Sequence, residues 1–359
     1  MRDIARRRLE SQHLIGAPLA TPEAVVDWLG AVQAQDFAGA KWALALRTRA
    51  LGGGDGAVER AFDDGRILRT HVMRPTWHFV RPADVRWLLA LTAPRVRAAM
   101  AYYQRKRELD GKLLARCEAV LARALAGGRH LTREELGRAL GAARIRASGE
   151  RLGHILMSAE LAAVVVSGPR RGKQFTYALL DERVPAARAL AREAALAELA
   201  RRYFRGHGPA LVQDFAWWSG LTQADARAGV AAAGLAEERI DGQRYLVGAA
   251  AAAAVAPRRP VVHLLPNYDE LLIAYRERSA ALDGSIIAHL DARNTLLASH
   301  FVTRDGRLIG GWRRTLARGE VVIEARVPGA LTRAEEAALA AAAERYGRFL
   351  GMPARLVRV

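Results

Sequence analysis

Val32-Gln33-Ala34-Gln35-Asp36 is the stretch on which the reading of this chain turns. Two glutamines one residue apart cannot share a face of a regular helix, because residues i and i+2 point nearly opposite ways. They share a face where the backbone is extended or is breaking out of helix. Asp36, Phe37 and Gly39 follow at once and suit such a break. The expectation is a helix, an extended joint carrying two neutral amides on one side, and a second helix. Each amide offers a carbonyl acceptor and an NH2 donor, enough to hold a water molecule without deprotonating it. A chain with this glutamine content contains a Gln-x-Gln by chance in about one shuffled sequence in six, so the motif gains weight only from its surroundings.

Those surroundings are helical on both sides. Thr21-Pro22-Glu23 reads as a helix start, with a capping Thr, Pro at the first helical position and Glu behind it. Val25, Val26, Trp28, Leu29 and Val32 supply its apolar face. A second helix is expected over 39–49 and a third over 56–64, separated by glycines 52–54. Strands over 66–72 and 75–81 complete a set of short helices followed by a β-hairpin, the order of a winged-helix unit. In the second of these strands Trp77 and Phe79 share one face, expected to be core. Thr76, His78 and Val80 share the other, which either lines a cleft with the glutamines or holds a hydrogen-bonded, partly buried histidine.

The pattern returns twice. Helices over 112–126, from Thr132 to Gly141 and over 148–160 precede strands from Leu161 to Ser167 and Gln174 to Leu180. The joining loop, Gly168-Pro169-Arg170-Arg171-Gly172-Lys173, places three cations on a wing tip suited to a phosphate backbone. A long helix over 185–204, helices Val212 to Ser219 and Thr222 to Ala233, and a hairpin turning at Asp241-Gly242 make the third copy. Of the adjacent Trp217 and Trp218, one is expected in the core. An Ala-rich linker over 249–256 separates this part from a C-terminal one with strands at Val261–Leu265, Ile286–Leu290, Ser299–Val302, Leu308–Gly311 and Val321–Arg326. Arg304-Asp305-Gly306-Arg307 forms a hairpin turn there, and a last helix covers 332–350. The fold class is therefore α+β: three tandem winged-helix units, residues 1–110, 111–184 and 185–250, then a β-rich, barrel-like domain over 258–359.

Composition narrows the partners. A folded chain of 359 residues with 51% hydrophobic content and a net charge of +18 points to a polyanion, with nucleic acid first. The excess is nearly all arginine, which pairs with phosphate bidentately. The single cysteine, Cys117, excludes an intrachain disulfide and a Cys-based zinc site, and reads as buried filler in a helix. The histidines show no metal-ligand spacing, and Asp269 and Glu270 lack a second carboxylate group, so they read as salt-bridge or turn residues. No metal or cofactor is expected. Arg2 to Arg8 is charged with no apolar segment behind it, and Gly248 to Ala256 is too short to span a bilayer. A soluble monomer in the bacterial cytoplasm, associated with the nucleoid, is the expectation.

Four motifs taken in order resemble the AlkZ-like bacterial DNA glycosylases: Leu29 to Trp42 around Gln33-Ala34-Gln35, Arg74-Pro75-Thr76-Trp77-His78, Leu264 to Tyr275, and Asp305 to Trp312. The resemblance covers essentially the whole chain. It implies excision of alkylated purines from double-stranded DNA, unhooking of interstrand crosslinks by some members, and catalytic roles for Gln33 and Gln35. A related subgroup carries Asp at the third position of the motif; this chain carries Gln. Asp36, Arg74, Thr76 and His78 are expected to line the cleft, and Arg151, Arg170, Arg171, Lys173, Arg304 and Arg307 to meet DNA. Composition and repeats support a non-catalytic winged-helix regulator or architectural factor equally well; a metal-dependent nuclease is the third class. The glutamine pair separates the first two.

Overall fold

The protein is described from a computed structural model covering residues 2–49, 54–184, 189–248, 260–282, 286 and 300–359. An opening helix, α1 (Arg2–Ser11), precedes three passages through one order of elements: helix, short strand, two helices, hairpin. The first comprises α2 (Pro22–Leu29), β1 (Val32–Gln33), α3 (Phe37–Ala45), α4 (Gly54–Asp63), β2 (Leu68–His71) and β3 (Trp77–Val80). A long helix, α5 (Val85–Lys106), leads to the second, which comprises α6 (Gly111–Leu125), β4 (Leu131–Thr132), α7 (Arg133–Ala142), α8 (Gly149–Leu161), β5 (Val165–Ser167) and β6 (Thr176–Leu179). After the short α9 (Leu180–Arg183), the third has α10 (Arg192–His207), α11 (Val212–Ser219), α12 (Gln223–Ala233), β7 (Ala236–Ile240) and β8 (Gln243–Val247). Each early strand pairs with the second arm of its hairpin: β1 with β3, β4 with β6, and the single residue Ala210 with Leu246 of β8.

Local chemistry accounts for most of these boundaries. Thr21 caps α2 through the Ala24 amide with Pro22 behind it, Thr132 and Glu135 close a capping box on α7, and Thr222 caps α12. Asp241 and Gly242 both take positive φ (51° and 81°), the two-residue turn whose twist matches a hairpin. The break after α2 is the expected one. Gly30 leaves the helix, and the Ala34 amide donates to the Trp77 carbonyl at 2.7 Å, carrying the extended pairing of β1 with β3 one residue further.

The passages share cores. Val32, Ala34, Phe37, Phe62 and Phe79 pack together, and Phe175 from the second hairpin joins them. Trp87 and Leu88 of α5 pack with Tyr203, Phe204, Phe215 and Trp218 of the third passage. Trp218 is fully buried while Trp217 is exposed, as their adjacency requires. Cys117 is buried among Leu121, Leu136 and Ile155.

The C-terminal part has β9 (Val262–Leu265), α13 (Glu270–Ile273), β10 (His300–Arg304), β11 (Arg307–Ala317), β12 (Glu320–Arg326), α14 (Arg333–Leu350) and β13 (Ala354–Arg358). The sheet runs β13-β12-β11-β10-β9, with β13 parallel to β12. Barrel-like closure is not found: among the described residues the sheet is open, with β9 and β13 as edges. The residues after α14 supply edge strand β13. The expected strand Ile286–Leu290, past its first residue, and the Ala-rich linker lie outside the described residues. No helix among the described residues is long and apolar enough to cross a membrane. A buried ion pair, Arg47 with both oxygens of Asp269 at 2.9 Å, ties the end of α3 to the start of α13. It persists at 1% and 0% side-chain exposure because Gln12, the Ala43 carbonyl and the Leu271 amide add further bonds to the pair, although Arg47 Nε has no partner among the described residues.

Candidate active site

The Gln-x-Gln backbone is held residue by residue. The Gln33 amide donates to Glu270 Oε1 at 2.9 Å, and the Ala34 carbonyl accepts from Arg69 Nε at 2.9 Å. Val32 and Ala34 point into the phenylalanine core, so the alternation of an extended chain turns Gln33 the other way, opposite His78 in register. Gln33 is 8% exposed, and its Oε1 accepts from Arg74 Nη2 at 2.8 Å. Gln35 is exposed, and its Oε1 takes a long 3.4 Å bond from the Trp77 amide.

Arg74 also approaches His78 Nε2 at 3.4 Å, while His78 Nδ1 lies 2.9 Å from the Thr76 carbonyl. A carbonyl can only accept, so Nδ1 carries the proton and Nε2 is the acceptor facing Arg74. Burial, reinforced by the Arg74 charge, holds His78 well below the ordinary histidine pKa and keeps it neutral. Burial also lowers Arg74, opposed by the Glu270 charge, and lowers Arg69 to about 10.

Gln35 opens onto a solvent-connected cleft of about 650 Å³ between the first and second passages. Its walls carry Trp77, Tyr103, His154 and His71, with Arg107 and Arg133 at the rim. Tyr103 is exposed and stacks on His154 with the rings 18° from parallel. Aromatic faces beside guanidinium groups suit unstacked bases and phosphates.

The structure thus brings Gln33, Arg74, Thr76 and His78 into one cluster behind Gln35. His78 is fully buried and does not line the cleft, which answers the alternatives left open for that strand face. Trp77, expected in the core, is only half buried and forms cleft wall, with the Arg69 guanidinium 4.3 Å over its ring. Asp36 is turned away as the cap of α3, accepting from the Gly39 amide at 3.1 Å.

The expected DNA-facing cations divide. Lys173 and Arg171 are exposed at the second hairpin tip, Arg171 beside Glu135. Arg170 turns inward, pairing with Glu59 at 2.8 Å over the Phe37 and Phe175 rings. Its own amide donates to Asp63, so the tip is docked on α4. Arg151 binds the Arg146 carbonyl and Arg304 pairs with Glu335 of α14. Arg307 sits at the β10–β11 turn, which packs closely on the Ala5 carbonyl. Glu270, read as a salt-bridge or turn residue, holds the Gln33 backbone and the Trp218 indole, while Asp269 takes both the ion pair and the helix cap. Sequence reasoning missed His71, Glu160, Arg69 and Tyr103; only the adjacent tyrosines in a charged helix end gave any local signal.

The chain resembles known proteins along most of its length. A curated Streptomyces sahachiroi protein named interstrand DNA cross-link repair glycosylase is 26% identical over 338 residues, 87% of each chain. The solved structure of Streptomyces sahachiroi DNA glycosylase AlkZ superposes with a TM-score of 0.80 at 25% identity, over 99% of both chains. The family model described as DNA glycosylase AlkZ-like matches residues 26–349. The chain therefore belongs to the AlkZ-like DNA glycosylase family.

Proposed function

We propose that this protein is a monofunctional DNA glycosylase that hydrolyses the N-glycosidic bond of cationic N7-alkylated purines in duplex DNA without a metal ion. The observation that carries the reading is the Gln35 amide, exposed in an aromatic cleft rimmed by arginine, with the Gln33 amide fixed behind it by Arg74. In this reading the three recurring passages are winged-helix units spanning 1–110, 111–184 and 185–250, with the β-rich part at 258–359 behind them. The third helix of the second unit, α8, then presents its face to the bound duplex.

A purine alkylated at N7 already bears positive charge and departs as a neutral base, so the bond can break without a general acid. The transition state resembles an oxocarbenium ion, and water attacks late. Little proton abstraction is needed, and amides that position water and present carbonyl dipoles suffice. Arg74 occupies one lone pair of the Gln33 carbonyl; the other lone pair and the NH2 group remain for water. Removing a base from the stack costs a few kcal/mol, and a crosslinked base stays tied to the opposite strand. The open cleft at Gln35 suits such a base, which extends the reading to crosslinks, the substrate named for the Streptomyces relative.

The test is to incubate the monomeric protein with methylated duplex DNA in chelator and measure free 7-methylguanine. Gln33→Ala and Gln35→Ala should each abolish release with duplex affinity nearly unchanged, and uracil should be released far more slowly. Tight duplex binding with no base release would leave a non-catalytic winged-helix DNA-binding protein.

A further inference from the structure

His71 and Glu160 form a buried pair that the water-positioning chemistry does not use. Glu160, on α8, is 1% exposed, and its Oε2 meets both His71 Nδ1 and the His71 backbone amide. A carboxylate sunk that deep is costly unless a charge or several donors face it. His71 supplies the bonds from β2, across the boundary between the first and second passages. Its ring lies 4.4 Å from the Trp77 ring and lines the cleft beside Gln35. Nε2 has no protein partner among the described residues. The arrangement is a carboxylate orienting an imidazole through Nδ1 and balancing positive charge on it, with the second nitrogen left for a ligand.

We propose that His71, oriented by Glu160, donates a proton from Nε2 to the base held in the cleft, so that purines without a fixed positive charge are also released. The inference rests on the glycosylase reading. In the step, the C1′–N9 bond breaks with its electron pair passing to the purine, and the Nε2 proton moves to a purine ring nitrogen. Water adds its oxygen to C1′, and the proton it sheds restores the imidazole or passes to solvent. A base alkylated at N7 has no need of that proton, so the two substrate classes separate.

The charged and titratable groups around the ring are Glu160, Glu150 and His154 on α8, Arg69 on β2, His78 on β3, Tyr103 on α5, Arg107 just past α5, Arg133 on α7, and Tyr177 on β6, which faces Glu160 and Arg69. Of these, His154 could imitate an imidazole titration, so His154→Gln belongs in the test; the pH limb should remain in that variant.

Single-turnover release of hypoxanthine, a neutral purine, and of 7-methylguanine is measured from duplex DNA between about pH 5.5 and about pH 8.5. In the wild-type protein, hypoxanthine release should fall as pH rises, because the donor is the doubly protonated ring, while 7-methylguanine release stays flat. His71→Gln should lower hypoxanthine release about 100-fold more than it lowers 7-methylguanine release. Glu160→Gln should slow hypoxanthine release selectively. Equal losses on both substrates, a flat hypoxanthine profile, or 7-methylguanine release with no hypoxanthine release in the wild-type protein would each overturn the proposal. Release of neither base would instead overturn the glycosylase reading. The wild-type pH profile needs no variant to fold.

Discussion

Replacing Glu270 with Ala tests whether the C-terminal half of the chain holds the glutamine motif in place. Glu270 is fully buried and accepts from the Gln33 amide and the Trp218 indole, each at 2.9 Å, with His207 Nε2 at 3.4 Å. Truncation orphans two buried donors at about 1–3 kcal/mol each. Release of a desolvated carboxylate offsets part of that, leaving an expected loss of about 3 kcal/mol. A domain of ordinary stability, about 5–15 kcal/mol, survives this, and Tm should fall by about 5–10 °C. Base release should fall further than stability accounts for, because a misplacement of about 1 Å at a reacting group costs on the order of 100-fold. The assay is urea unfolding alongside single-turnover 7-methylguanine release, measured where the variant is fully folded. A folded Glu270→Ala protein with the wild-type rate would refute the idea that this bond sets the position of Gln33.

Other consequences are separately measurable. Lys173→Ala should reduce the slope of log affinity against log salt by about 1, and Arg171→Ala should reduce it less, because that guanidinium already pairs with Glu135 and the His130 carbonyl. Arg170→Ala should leave the slope unchanged and cost about 1–2 kcal/mol of stability, because that side chain is spent on Glu59 and two phenylalanine rings. Gly220→Ala, at φ 69° with an added Cβ 2.2 Å from the Met73 carbonyl, should destabilise by about 2–4 kcal/mol and slow base release through the adjacent Arg74. His263 and His300 are lowered to about 4 by burial, and His78 is lowered well below its ordinary value. The unfolded chain therefore binds more protons than the folded one below about pH 6.5. Stability should be complete above that pH and drain away toward about pH 4, by about 3 kcal/mol for His263 alone. An unchanged urea midpoint between those limits would exclude it.

Local signals were legible and long-range ones were not. The capping threonines, the Asp-Gly turns and the extended joint at Gln33 are written in adjacent residues, and the structure has them there. The alternation that turns Gln33 away from the phenylalanine core also followed from spacing alone. By contrast, Arg170 looked like a phosphate contact because nothing in its loop reveals that Phe175 docks beside Phe37. The His71–Glu160 pair joins residues 89 positions apart, and Glu270 reaches Gln33 across 237. Such pairs have no periodicity to read. The open sheet escaped for a related reason: five strand-like runs specify neither closure nor the parallel edge contributed by the C-terminal residues.

The N-terminal helix α1 bears on where the molecule can be cut. Arg8 lies 3.7 Å over the Tyr275 ring and binds the Pro209 carbonyl, and Gln12 bridges Tyr275 to Arg47. A fragment trimmed to 26–349 would lose all three contacts and, at its other end, the strand that covers β12. It would expose Leu9 and Leu14's packing partners to water and strip the Arg47–Asp269 pair of its amide neighbour. Expression designs should keep both extremities, and an affinity tag at the front belongs on a spacer long enough to leave Ile4 seated.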